Sequence, residues 1–477
     1  MWEWINATVI RFRPCFTREI TFGWFVVILL GLMLRNDHLG ITSIVREFSL
    51  IESAYTSMLH FFRSKAWHLP DIRNAWIDIV KSTPFLIKEA GRYILIGDGV
   101  KQSKEGRKMP GVKKLHQESD NSAKGEYIHG HHFGGLGILA GNEAKQYSIL
   151  LSARLHEGVE AIRKWLKGDK YNEESHVVKM VRDAANAVKR LGGSILLLDR
   201  LYLTRPMLKA LQEAPGLSVV TKAKSNAKAF FPPGKYKGRG ARPKRGPCVK
   251  VASFFTTHAE LFNLVEMTLY GRKEAVRYFC IDLLWGEGVY QNLRFVLTVI
   301  DGTRSIFVST DLTLSPKQVV SLYCRRFKIE CAFRELKQVV AGFAYHFWSK
   351  AMPKLQKFKC NDTNRLSLEQ VGDKRSRELI GSTVDAIECF VQVSVVALGM
   401  LQLVSLLFWK EIILGGMRFM RTRSSSVPSE RTTADYLRKN IFALFRFFPK
   451  MTLTTIIYDS QTHHFGPVHG QTDTHAA

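Results

Sequence analysis

No two cysteines of this sequence stand at metal-ligand spacing. The seven lie apart at Cys15, Cys248, Cys280, Cys324, Cys331, Cys360 and Cys389. An odd, dispersed set of this kind argues against a disulfide framework or a zinc ribbon and for reduced thiols in the cytosol. There is no P-loop, and Gly97-Asp98-Gly99 is not a phosphate-cradling GxGxxG, so no nucleotide cofactor is expected. Long uncharged runs are nearly missing. The run 21–34 is too short to span a bilayer and has no small-residue cleavage site after it, which argues against a signal peptide. The run 389–409 has 21 residues without a charge, but Gln392, Ser394, Gln402 and Ser405 interrupt it. It reads as a helix buried in a large core, with no membrane partner. Acid is scarce as well: 42 Asp and Glu face 69 Lys and Arg, giving a net charge of +27 and a pI near 9.8. Such an excess favours a polyanionic partner, nucleic acid before anionic membrane, and says little about fold.

What is present begins with size. At 477 residues and 46% hydrophobic content the chain is globular and can bury two or more cores. The stretch 315–340, SPKQVVSLYCRRFKIECAFRELKQVV, reads as one long helix, with Ser315 as N-cap, Pro316 in the first turn and Gly342 after its end. At 100° per residue, Tyr323, Arg326, Glu330 and Lys337 fall within about 60° of one another, with Arg334 beside them. Leu322, Ile329, Phe333, Leu336 and Val340 form an adjoining apolar stripe. The helix thus offers one carboxylate flanked by cations and a phenol. A solvated amphipathic helix with Glu–Arg i,i+4 pairs has the same pattern.

Residues 1–88 read as a helical DNA-binding region, within which 39–48 and 53–65 could form a helix-turn-helix or part of a plain bundle. From 89 to 221 the pattern is strand, strand, strand, helix, strand, helix, strand, which predicts a mixed α/β sheet with flanking helices. YILI at 93–96 delivers Asp98, and SILLL at 194–198 delivers Asp199, so both aspartates are placed at C-terminal strand ends, where ligands bind. A basic loop occupies 101–114. The segment 222–312 reads as a β-rich insertion with strands at 248–255, 264–270, 275–284, 293–300 and 305–309; its 222–245 loop holds nine Lys or Arg and no acid. The Glu330 helix falls in 313–345. The region 346–460 is expected to be looped to about 380 and then helical, and 461–477 to be a disordered tail.

Asp98, Asp199 and Glu330 are acids from three different elements. Mg²⁺ takes oxygen ligands, and a pair of such ions can serve both the attacking and the leaving oxygen of an in-line displacement. Cations around Glu330 oppose a pure metal site but suit a face that also grips phosphate: Arg326 as a planar fork, Lys337 as a point charge, Tyr323 as a neutral donor. Taken singly, each aspartate could equally be a strand-end turn residue.

The spacing Tyr323, Arg326, Glu330, Lys337 resembles the Y-(2)-R-(3)-E-(6)-K signature of a group of bacterial insertion-sequence transposases in the DDE superfamily. YILIGDG, SILLLDR and the 131-residue gap between Asp199 and Glu330 are similar as well. The resemblance covers roughly 90–340. It implies an RNase H-like catalytic domain in which Asp98, Asp199 and Glu330 bind two Mg²⁺ or Mn²⁺, nick the transposon ends and direct the freed 3′-hydroxyl into target DNA. It also implies that Tyr323, Arg326 and Lys337, with Arg334 nearby, hold a phosphate of the non-transferred strand, and that Trp285 or Tyr290 could stack on a flipped base. Homodimers on paired terminal inverted repeats, in a nucleoid-associated cytoplasmic setting, complete the expectation. The competing readings are a DNA-binding protein without catalysis and, through 389–409, a membrane protein. His129, His131 and His132 lack a partner at ligand spacing and read as sheet-packing or DNA-facing residues.

Overall fold

Runs such as YILI and SILLL are apolar on both faces and must lie in a sheet covered above and below. The structure, a computed structural model, puts them at its centre. It describes residues 1–117, 125–142, 144–168, 174–235, 238, 241–355, 368–415 and 427–462. Most of the expected tail, including His463 and His464, lies outside the described residues, as do Cys360 and four positions of the 222–245 basic run.

Helices lead the chain: α1 (Trp2–Ile10), α2 (Glu19–Leu34), α3 (Ile41–Glu47), α4 (Glu52–Phe61) and α5 (Leu69–Lys81). From Thr21 to Leu34, α2 is buried except at Trp24, as a helix apolar on all sides must be. Then come β1 (Lys88–Glu89), β2 (Arg92–Ser103), β3 (Lys113–His116), β4 (Tyr127–Gly141), β5 (Gln146–Leu155), α6 (Glu160–Lys167), α7 (His176–Leu191), β6 (Ser194–Leu197), α8 (Arg205–Gln212) and β7 (Leu217–Lys222). The strands β2, β6 and β7 are parallel neighbours, with α7 and α8 leading into β6 and β7. Ser175 caps α7 and Gly192 ends it at φ +99°.

The chain continues through β8 (Lys228–Phe230), β9 (Cys248–Lys250), α9 (Phe254–Thr257), β10 (Asn263–Leu269), β11 (Arg272–Trp285), β12 (Gln291–Ile300) and β13 (Thr303–Ser309). Because β13 returns antiparallel to β7, these strands extend the first sheet. Among the described residues one 13-stranded sheet results, in the order β3-β4-β2-β6-β7-β13-β12-β11-β8-β9, with β1 on β2, β5 on β4 and β10 on β11. After it come α10 (Pro316–Cys324), α11 (Lys328–Gln338), α12 (Lys374–Leu407), α13 (Trp409–Leu414), α14 (Glu430–Lys439), α15 (Ile441–Phe447) and α16 (Thr452–Thr462). This is the mixed α/β, RNase H-like layout with helical ends.

Three local expectations need correction. Asp98 does not end its strand: β2 runs on to Ser103 because β4 is long enough to pair with it throughout. What stops is the parallel neighbour, whose last pair is Ile96 with Leu197. The predicted strand at 248–255 ends at Lys250. There Ser253 Oγ bonds the Lys250 carbonyl, and Thr256 and Thr257 bond that of Ser253, local bonds that compete with a ladder and favour a helical turn. The single helix over 315–340 is two helices, α10 and α11, joined by a 3₁₀ turn at Arg325–Phe327. The Ser315 cap is present as a full capping box with Gln318.

The apolar run after Cys389 belongs to α12. Among the described residues α12 alone is long and apolar enough to cross a membrane, unless α15 and α16 are counted together across a 105° bend, and 94% of its apolar window is buried. Its polar residues explain the burial. Among the described residues strand β5 pairs only with β4, so its outer edge needs partners. Gln392 Nε2 donates to the Leu151 carbonyl at 3.0 Å, Glu388 Oε1 accepts from Leu155 N at 2.8 Å, and Trp76 Nε1 of α5 donates to the Leu150 carbonyl at 2.8 Å. Gly399 lets the two helices close, since a Cβ there would lie 2.2 Å from the Trp76 ring.

Candidate active site

Asp98 and Asp199 sit at matching positions, each two residues past the last parallel pair of β2 and β6. Where β6 stops, the chain turns into a 3₁₀ turn, Arg200–Tyr202, with Asp199 at its N-cap, and Thr221 Oγ1 holds the Asp199 carbonyl at 2.9 Å. Across from Asp98 on β4 is Gly135. A Cβ there would lie 2.4 Å from Cε1 and 2.5 Å from Cζ of Phe333. This glycine admits the Phe333 ring, and Glu330, one turn earlier on α11, comes over the same face of the sheet as Asp98.

The charged groups meet through Arg326. Its Nη1 donates to Asp98 Oδ2 at 2.9 Å, and its Nη2 donates to Glu330 Oε1. The Tyr323 hydroxyl reaches Asp199 Oδ1 at 3.4 Å, a long contact. Lys222 Nζ stands 5.2 Å over the Tyr323 ring and 5.1 Å over that of Phe307. The side chains of Arg326 and Asp98 are 15% and 22% exposed, whereas Glu330 is 46% exposed, so Glu330 is the most open to solvent of the three. Burial pushes the Asp98 carboxyl up. Arg326 and the Gly99 N–H pull it down, Asp199 and Glu330 add to the rise, and the net shift is upward. At Arg326 burial opposes the charge, but Asp98, Tyr323, Glu330 and Asp199 outweigh it and hold the proton more firmly.

The other expected site residues are less central. Arg334 turns to its neighbour Glu335, Nε to Oε1 at 2.8 Å, and its side chain is exposed. Lys337 is half-buried, nearly two turns beyond Glu330. Beside the Asp199 turn lies a cleft of about 440 Å³ lined by Arg200, Arg205, Lys224, Lys228 and Trp285. Trp285 therefore faces open space, whereas Tyr290 packs edge-on against Phe230, with the Arg245 guanidinium over both rings. Within the basic stretch 101–114, Lys104 is buried. Its ammonium lies 3.6 Å from the Tyr345 centroid and donates to the Phe343 and Tyr345 carbonyls, and desolvation brings its pKa down to about 7. His131 packs in the sheet, with Nδ1 2.6 Å from the Tyr345 hydroxyl, while His132 faces Glu157 at 3.1 Å.

One family fits this assembly along much of its length: that described as DDE superfamily endonuclease matches residues 11–272, just over half of the chain. The chain belongs to that family. No curated protein matches it. The matched part of this DDE endonuclease contains Asp98 and Asp199 and stops before α10. Endonucleases of this family act on DNA and typically use divalent metal ions. The acids suit such ions, since three carboxylates are the hard oxygen donors Mg²⁺ takes. Among the described residues no three acid, His or Cys side chains stand in ligating geometry, and the Arg326 fork bridges Asp98 and Glu330, balancing their charge as a cation would. The oxygen chemistry of the three acids suits a divalent ion, and the Arg326 fork now occupies part of it.

Sequence reasoning missed Tyr202, His156 and His176. Burial raises the Tyr202 hydroxyl pKa, and Asp98 and Asp199 raise it further. The only sequence signal was the place of Tyr202, three residues after Asp199.

Proposed function

We propose that this DDE endonuclease is a cut-and-paste transposase of the insertion-sequence type, nicking its own terminal inverted repeats and transferring the freed 3′-hydroxyl into target DNA. The observation that carries the reading is the Arg326 guanidinium, which spans Asp98 and Glu330 while Tyr323 from the same helical segment reaches Asp199. Asp98, Asp199 and Glu330 would hold two Mg²⁺ or Mn²⁺. Bound there, the ions lower the pKa of the attacking hydroxyl and stabilise the leaving oxygen.

The chain's own residues supply the rest. An arriving DNA phosphate competes with the carboxylates for the Arg326 fork, which suits phosphate in two-pronged contact. Transfer of the fork to phosphate would relieve its competition for Asp98 and Glu330, so DNA would tighten a metal affinity that the free protein already has in weaker form. Tyr323 donates to a phosphate oxygen, and Lys337 and Arg334 add positive charge along α11. Trp285, facing the cleft beside Asp199, is the better placed of the two aromatics to stack on an extrahelical base. The Tyr-Arg-Glu-Lys spacing supports the insertion-sequence assignment. We further propose a homodimer on paired ends, acting on double-stranded DNA in the cytoplasmic nucleoid without nucleotide cofactor or membrane. In the proposed division of the chain, 1–88 contacts DNA, 89–221 with 313–345 forms the catalytic core, 222–312 is the β-rich insertion and 346–460 is a helical C-terminal region.

A DNA-binding protein without cleavage is the second reading. On its side is the family match that ends at residue 272, before Glu330. Purified protein and a plasmid carrying the repeats that flank its gene separate the two. The transposase nicks at the repeat ends with Mg²⁺ or Mn²⁺ and not with EDTA, and Glu330→Gln binds the ends without cutting. Cutting by Glu330→Gln at the wild-type rate, or binding without cutting by the wild type, contradicts the proposal.

A further inference from the structure

On the face of the sheet away from α11, two glycines hollow out β2 and β4. A Cβ on Gly99 would stand 2.5 Å from His132 Nε2 and 3.1 Å from His176 Nε2, and one on Gly134 would stand 1.9 Å from His156 Cε1. Three imidazoles fill the hollow: the His176 centroid is 4.3 Å from that of His132 and 4.7 Å from that of His156. From His176 a line of hydrogen bonds runs in two directions. Its Nδ1 is 2.7 Å from His156 Nδ1, whose Nε2 is 2.9 Å from Asp183 Oδ2, and its Nε2 bonds the Tyr202 hydroxyl.

Each bond needs one proton, and that fixes the direction of the line. Asp183, also held by Arg154, can only accept, so His156 carries its hydrogen on Nε2. Burial favours the neutral ring at both histidines, outweighing Asp183 at His156 and taking His176 down to about 2. Neutral His156 must then accept at Nδ1, His176 must donate from Nδ1, and its Nε2 must accept from the Tyr202 O–H. The Tyr202 hydroxyl thus donates to His176 and holds its ring.

Tyr202 and His176 each adjoin one of the two site aspartates. Tyr202 closes the 3₁₀ turn that starts at Asp199, and its N–H bonds the Asp199 carbonyl at 3.0 Å. Gly99, on which the His176 ring lies, is the residue after Asp98. We propose that His176 and Tyr202 are positioning residues that fix the spacing of Asp98 and Asp199 from the far face of the sheet, so that the two carboxylates share divalent ions. This rests on reading those aspartates as a metal-holding pair. Groups hydrogen-bonded to metal ligands typically change metal affinity by about 10–100-fold when removed, and His176 and Tyr202 act on the aspartates one step further out, through the backbone, which puts their effect at the low end.

The test is Mn²⁺ binding to the full chain, followed by the electron paramagnetic resonance of free Mn²⁺. Melting temperature and metal-free binding to a DNA duplex are recorded for each protein. Asp199→Asn should abolish one or more sites of the wild type. Tyr202→Phe, which removes only the locked hydroxyl, should weaken them about tenfold or more with melting and DNA binding unchanged. His176→Leu should behave like Tyr202→Phe, and His176→Gln, whose carbonyl can still accept from Tyr202, should recover much of the affinity. Wild-type Mn²⁺ affinity in Tyr202→Phe overturns the positioning role and leaves the metal reading standing. A parallel loss of melting temperature, DNA binding and metal in Tyr202→Phe overturns it in favour of a purely structural role. Absence of any Asp199-dependent Mn²⁺ site in the wild type overturns the metal reading itself, and the positioning role with it.

Discussion

Replacing Gly135 by alanine adds one methyl group beside Asp98, and the expected result is a large loss of nicking for a modest loss of stability. The new Cβ would lie 2.4 Å from Phe333 Cε1 and 2.5 Å from Cζ, where carbon atoms settle at about 3.5–4.0 Å. Phe333 must therefore retreat by about 1 Å. It is buried and sits on α11 one turn from Glu330, so the helix moves with it. Within a strand, alanine is intrinsically favoured over glycine by about 0.5–1 kcal/mol. Overpacking costs about 1–3 kcal/mol, leaving a net destabilisation of about 0–2.5 kcal/mol by those two ranges. A displacement of about 1 Å at a reacting group costs on the order of 10²-fold in rate. Single-turnover nicking with saturating Mg²⁺, beside a thermal melt, measures both. Phe333→Leu in the Gly135→Ala background makes room for the methyl and should restore most of the rate. Nicking at the wild-type rate by Gly135→Ala, or a loss that Phe333→Leu leaves untouched, refutes the idea that this contact seats Glu330.

Arg326→Gln removes a hydrogen-bonded charge competing for Asp98, a contact of the kind worth about 1.5–3 kcal/mol, so DNA-free Mn²⁺ affinity should rise about tenfold or more while nicking collapses; weaker Mn²⁺ binding refutes the competition. Asp98 has a raised pKa, so the stability it contributes is present at acid pH and lost as pH climbs through that value. Metal-free wild type should therefore lose more stability than Asp98→Asn as pH rises from acid to about 7, and an identical pH dependence of the two melting points contradicts this. Gln392→Leu leaves the Arg73 Nε and the Leu151 carbonyl without their partner and should cost about 1–3 kcal/mol in a urea melt. In a bilayer the same change would favour insertion, so an unchanged or stabilised protein counts against α12 as a core helix.

Much of the site was legible because its parts are local. YILI and SILLL say that each aspartate follows an apolar strand, and the helical angles of Tyr323, Arg326 and Glu330 place them on one edge. Two features were not legible. That β2 continues past Asp98 depends on the length of β4, a partner distant in sequence. The turn in the middle of the Glu330 segment has no Pro or Gly to announce it and lies where Arg326 reaches β2. The hollow for His132, His156 and His176 was hidden for a different reason. Gly99 and Gly134 matter through what packs on them, and the three histidines come from β4, the end of β5 and the start of α7. The polar residues of the 389–409 run pointed the right way, and the edge of β5 supplies the reason.

The central claim is that the chain brings Asp98, Asp199 and Glu330 to one divalent-ion centre. Fe²⁺ placed in an Mg²⁺ site, with ascorbate and peroxide, cuts polypeptide next to its ligands, and mapping those cuts needs neither DNA nor turnover. Cleavage should cluster near residues 98, 199 and 330 together, be suppressed by excess Mg²⁺, and vanish from all three places in Asp199→Asn. Cuts near only one of them, or a pattern indifferent to Asp199, would mean that the three acids do not share a centre.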